Sequence, residues 1–156
     1  MGFQATIANA LLEVMAGCVD CEKYDRQVVT LGDPTIECST LGIGLQSFNE
    51  AASVGNECAV HDLRMNAVIA LCCVPVAGNA SGTEPPDADE ITRITGCVAD
   101  DVERIICCLR SVIVEGLPGA VNTCKPRITT VTYSRPSGGC VVAKIGLTFS
   151  GVPCCD

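Results

Sequence analysis

The chain is 156 residues long, 48% apolar and 18% charged, which suits one domain that buries a core without cross-links and excludes a disordered chain. Its net charge of −8, with two Tyr, three Phe and no Trp, is the reverse of the basic, aromatic-lined surface of a general nucleic-acid binder. The longest apolar runs, such as Ala67 to Ala77, fall well short of the roughly 20 residues of a membrane-spanning helix, and no basic-then-apolar segment opens the chain as a secretory signal would.

Residues 3–16 read as a helix, because Phe3, Ile7, Leu11, Val14 and Met15 recur at helical spacing, and Gly17 is a natural stop. Arg26 to Leu31 is a short strand ended by Gly32-Asp33-Pro34. Leu41, Ile43 and Leu45 alternate with Gly42, Gly44 and Gln46, a half-buried strand whose glycines predict the close approach of another backbone. Asn49 to Asn56 is expected to turn. From His61 to Val76 the odd positions Leu63, Met65, Ala67, Ile69, Leu71 and Cys73 are apolar throughout, and the even ones pass from polar to apolar. This is a long strand with one face always covered.

Gly78 to Pro86 is a loop of small and turn residues. Asp87 stands at an N-cap with Glu90 three residues on, and the helix that follows carries a stripe of Ile91, Ile94, Val98, Val102, Ile105, Leu109 and Val112. Gly96 is a candidate kink and Gly116-Leu117-Pro118-Gly119 the end. Arg127 to Ser134 and Cys140 to Ser150 form a hairpin about Pro136-Ser137-Gly138-Gly139, with Val141, Ala143, Ile145, Leu147 and Phe149 on one face and Lys144, Gly146 and Thr148 on the other. The order α-β-β-β-α-β-β predicts an α+β fold: an antiparallel sheet of four to five strands with two helices on one face. Residues 1–150 make one domain and 151–156 a loose tail.

Thirteen cysteines include the adjacent pairs Cys72-Cys73, Cys107-Cys108 and Cys154-Cys155 and the motif Cys18-x-x-Cys21. An odd count without a signal argues against a secreted disulfide framework, so most are expected to be reduced apolar filler in a cytoplasm. Cys18 and Cys21, joined by Cys38, are the weak alternative for a zinc site, but no second C-x-x-C accompanies them. The same pair follows a helix, outside the setting of a thioredoxin-like redox motif. His61, the single histidine, lies beside Asp62 at a polar strand start and reads as a solvated residue rather than a catalytic base. Gly42-Ile43-Gly44 lacks the third glycine and following helix of a dinucleotide site. Neither a catalytic residue nor a cofactor is expected. Charge is uneven: residues 1–123 carry 17 acids and 6 bases, whereas residues 124–156 carry Lys125, Arg127, Arg135 and Lys144 against Asp156 alone. Glu84, Asp87, Asp89 and Glu90 on one side and those four bases on the other are candidates for acid-on-base contact between copies. Helix capping and solvated faces explain them equally well.

Three stretches resemble tail terminator proteins of long-tailed, siphovirus-type bacteriophages, especially those of actinobacteria. They are Ala70-Leu71-Cys72-Cys73-Val74-Pro75-Val76 before a Pro- and acid-rich loop, the long helix after that loop, and Arg135-Pro136-Ser137-Gly138-Gly139-Cys140-Val141 leading into the last strand. The N-terminal helix followed by a strand near Glu37-Cys38 is also similar. The doubled cysteines and residues 151–156 depart from the pattern. The resemblance implies a virion protein, not an enzyme, assembled in the host bacterial cytoplasm. It would form a ring, usually of six copies, at the head-proximal end of the tail tube. The ring would end tube polymerisation, contact the tail tube protein and the head-tail connector, and let DNA pass without specific binding. An acidic channel wall suits that passage, since like charge repels phosphate. Rival readings are a head-closure or neck connector protein, a cysteine-rich zinc-binding adaptor and a small redox enzyme using Cys18 and Cys21.

Overall fold

A computed structural model describes residues 3–19, 24–35, 37, 39–52, 60–71, 88–115, 126–134 and 141–153. The elements follow the expected order: α1 (Phe3–Cys18), β1 (Arg26–Leu31), β2 (Thr40–Ala52), β3 (Val60–Leu71), α2 (Ala88–Glu115), β4 (Pro126–Ser134) and β5 (Val141–Pro153). The five strands form one sheet in the order β1-β2-β3-β5-β4. Both helices pack on the same layer, α1 against β1 and β2, α2 against β3, β5 and β4, and they touch each other.

Alternation builds that layer. Leu63, Met65, Ala67, Ile69 and Leu71 of β3 and Ala143, Ile145, Leu147 and Phe149 of β5 point into one core with Leu41 and Ile43. From α2, Ile94, Val98, Val102, Ile105 and Leu109 complete it. In α1 the buried set is wider than the expected stripe: Ala8, Leu12 and Ala16 join Ile7, Leu11 and Met15. A helix wedged between a sheet and a second helix is covered on two sides, and small or slender residues fill the second one.

The sheet is mixed, not antiparallel. β1 runs parallel to β2, in register from Arg26↔Thr40 to Leu31↔Leu45, while all other pairs are antiparallel. Gly32-Asp33-Pro34 therefore opens a return crossover rather than a hairpin turn. Parallel neighbours usually need a dozen or more connecting residues. Here residues 32–39 suffice, because the crossover lies directly on β2 across the sheet face away from the helices. A Cβ on Gly44 would run into the Gly32 carbonyl oxygen and lie 3.0 Å from Asp33 Cα, and one on Gly42 would lie 2.8 Å from Pro34 Cγ. The close backbone approach expected at these glycines is this crossover. It begins at Gly32, with φ of +69°, whose N–H donates to the Leu45 carbonyl at 2.8 Å.

Three element ends differ from expectation. α1 continues through Gly17, which faces open space, to Cys18. β2 runs to Ala52 instead of turning at Asn49, because a register shift between Leu45 and Ser47 breaks the two-residue period. That bulge returns Phe48, rather than an odd-numbered residue, to the core side. β5 continues past Ser150 to Pro153, where Val152 and Pro153 pair with His61 and Val60, so residues 151–153 are strand and not tail. α2 is unbroken through Gly96. Residues 72–87, and with them Pro75 and the proposed Asp87 cap, lie outside the described residues.

Candidate functional site

The surface opposite the helices is the chemically distinctive part of the described structure. The even positions of β3 and β5 and their register partners on β4 bring Asp62, Arg64, Asn66, Lys144, Thr148, Arg127, Thr130 and Thr132 to one face. At its centre stands Asp33, carried in by the crossover. Asp33 Oδ1 accepts hydrogen bonds from Gln46 Nε2 at 2.8 Å and Asn66 Nδ2 at 2.9 Å, and Oδ2 accepts one from Lys144 Nζ at 2.8 Å. One carboxylate thus ties the crossover to β2, β3 and β5. Partial burial pushes its pKa up, but the hydrogen bonds from Lys144, Asn66 and Gln46, with the Lys144 charge, outweigh that and hold it below the ordinary value. The far end of the crossover is held by Arg26, whose guanidinium donates to the Thr35 carbonyl at 2.9 Å and lies 3.4 Å from Glu37. Thr40 donates to the Glu37 carbonyl at 2.9 Å.

The two outer strands present a different chemistry. β1 is bonded only to β2 and β4 only to β5, so each offers an unpaired edge within the described sheet. The two large apolar side chains most exposed among the described residues are Leu31, 88% exposed, and Tyr133, 58% exposed. They lie on β1 and β4, one on each edge. β4 is exposed along most of its nine residues, and Ile128 and Val131 pack against the core. Its register shift between Ile128 and Thr130 sets the Thr129 and Thr130 hydroxyls over Gly146.

No protein-family model matches the chain, and no curated protein matches it. Function therefore has to be argued from these surfaces.

The residues singled out in sequence are placed as follows. Lys144 is engaged by Asp33 rather than offered to a partner. Arg127 is exposed on β4, and Asp89 is exposed in the first turn of α2, to which Glu90 also belongs. Glu84, Asp87, Lys125, Arg135, Cys21 and Cys38 lie outside the described residues. His61 is in β3, opposite Glu50 and Val152. Cys18 is joined to Cys108 by a disulfide, an exception to the expectation that most cysteines are reduced filler, and in this form Cys18 is not free to ligate zinc. Cys97 does pack against the core, whereas Cys107 is exposed. Among the described residues, no group of three His, Cys, Asp or Glu is placed to hold a metal ion, and no helix is long and apolar enough to cross a membrane.

Sequence reasoning missed Asp33 and the buried pair Tyr24 and Asp101, whose hydroxyl and carboxylate meet at 2.6 Å with Arg104 3.8 Å from the same carboxylate. Partners 77 and 111 positions apart leave no local signal. Asp is an ordinary turn residue, so Asp33 between Gly32 and Pro34 carried no signal of its own.

Proposed function

We propose that the protein is a structural ring subunit of a phage virion. It stands at the head-proximal end of the tail tube, ends tube polymerisation and joins the tail to the head connector. The observation that carries this reading is the pair of unlike open edges, each with an exposed large apolar residue, at opposite ends of one sheet. An unpaired strand edge is a template for joining another chain. Because the edges differ, self-association through them is head-to-tail, and head-to-tail contacts close into rings when the rotation allows. The strand directions suit the join. If the sheet continues from β4 of one copy to β1 of the next in the same orientation, the two strands meet antiparallel. By register Leu31 stands level with Ile128 and Tyr133 with Gln27, so in a join without slip each leaves water against the facing strand rather than against the other. The three stretches that resemble tail terminators supply the biological setting. The ring, usually hexameric in such proteins, meets the tail tube protein on one side and the connector on the other, and DNA passes through without specific contacts.

Native mass spectrometry and negative-stain imaging test this, with and without purified tail tubes. The expected result is a discrete ring, or a cap on tube ends. Leu31→Asp and Tyr133→Asp should each abolish it while leaving the circular dichroism of the monomer intact. A chain that stays monomeric and ignores tail tubes overturns the reading. Binding to the connector alone would favour a head-closure protein, and about one zinc per chain an adaptor.

A further inference from the structure

Cys18, the last residue of α1, and Cys108, in the second half of α2, are 90 positions apart in sequence and joined by a disulfide with Cα atoms 6.4 Å apart. Both residues are half-buried, so the pair is not sealed inside the core. The segment leaving α1 is tied to the same helix a second time. Tyr24, 1% exposed, donates its hydroxyl to Asp101, which is fully buried. Asp101 and Cys108 are seven residues apart, two turns along one face of α2, or about 10 Å. Val19, buried between these ties, belongs to the common core. That core already seats both helices on the sheet, and a bond spanning 90 positions closes most readily once folding has brought its ends together.

We propose that the Cys18–Cys108 bond is a redox-operated lock on the helical layer, closed after folding, which fixes the segment carrying Tyr24 against α2. In closing, the thiolate of one cysteine attacks glutathione disulfide and displaces one glutathione thiolate. The second cysteine's thiolate then attacks the mixed disulfide at the protein sulfur and displaces the other. Two cysteine thiols are oxidised, one disulfide is reduced to two glutathione thiols, and these take up the two protons. Opening is the reverse. The lock acts largely by restricting the unfolded chain through a long closed loop, so it changes stability, and with it how often Tyr24 is exposed by opening, without changing the fold.

The test uses the full chain, purified reduced and equilibrated across ratios of reduced to oxidised glutathione. Alkylation and peptide mapping identify the bonded pair, and thermal unfolding gives Tm. The chain has two tyrosines and no tryptophan. Tyr133→Phe therefore leaves Tyr24 as the only tyrosine, and its own near-ultraviolet band reports burial. Oxidation should join Cys18 to Cys108, raise Tm on the order of 10 °C and slow amide exchange at Tyr24. Cys18→Ser should abolish the dependence on glutathione ratio, and Cys107→Ser should leave it intact. Pairing of Cys18 or Cys108 with another cysteine, both thiols staying free in oxidising buffer, or a Tm indifferent to the ratio overturns the proposal. Should Cys18→Ser not fold, the glutathione titration of the unaltered chain still decides between these outcomes.

Discussion

Asp33 does at the scale of one residue what a longer crossover would otherwise do. Its carboxylate gathers donors from three strands onto a connection of eight residues, 32–39. Asp33→Ala should cost on the order of 1 kcal/mol, a modest figure because the group is about one-third exposed and water screens its ion pair. Chemical denaturation checks it. The sign of the pH effect follows from the lowered pKa. The ionised form is favoured in the folded state, so the contribution is complete above the ordinary carboxylate range and is lost as pH falls through the lowered value. Other charges near this face, Lys144, Arg64, Asp62 and Arg127, are paired with it or sit on the neighbouring strands β3, β4 and β5. Comparing the protein with Asp33→Asn isolates the carboxylate. The stability gap should be flat from neutral pH down to about pH 5 and close below about pH 4. Tyr24→Phe is a sharper lesion. It takes a donor from a fully buried carboxylate and should cost about 2–3 kcal/mol, several times the effect of Tyr133→Phe on the exposed edge.

Among the elements, the β1–β2 crossover is the least tolerant of change. A methyl group on Gly44 meets Gly32 backbone, not a side chain that can swing away, so Gly44→Ala must push the crossover off the sheet or bend β2. It should cost about 2–3 kcal/mol and speed amide exchange in β1. Gly146→Ala meets threonine hydroxyls on β4, which can turn, and should cost less. Thermal melts of the two variants rank them. This element also marks the limit of what the sequence makes legible. Periodicity located both helices and all five strands, and the glycine face of β2 announced a close backbone. Pattern alone does not say which backbone, because a Gly-Asp-Pro sequence begins a hairpin and a crossover alike. The bulge at Gln46 hid the second half of β2 by shifting Phe48 out of phase. The Cys18–Cys108 bond escaped the reading of most cysteines as reduced filler for a different reason. An odd total constrains no particular pair, and Cys18 meets Cys108 only because two helices cross on the sheet. Of the proposed contact charges, Lys144 was visible in sequence but not its partner.

At the scale of the whole molecule, the proposed ring has two candidate forces to hold its copies together: charge between the acidic bulk and the basic last strands, and the apolar edge residues. The structure weighs against charge as the main force. Lys144 is already neutralised by Asp33, which leaves Arg127 as the exposed base among the described residues of β4 and β5, and exposed pairs contribute little. In the proposed join Leu31 and Tyr133 would bury apolar surface that salt does not screen, and strand pairing would add backbone hydrogen bonds along β1 and β4. Long-range charge should therefore set how fast copies meet, not whether they stay joined. Each copy carries a net −8, so raising salt from 0.05 M to 1 M should speed ring formation severalfold in stopped-flow light scattering, because the Debye length falls to about 3 Å and the mutual repulsion is screened. The same change should leave the mass of the finished oligomer in sedimentation unaltered. Dissolution of the ring in high salt would instead mean that ion pairs hold it and that the open edges of β1 and β4 are not the contact.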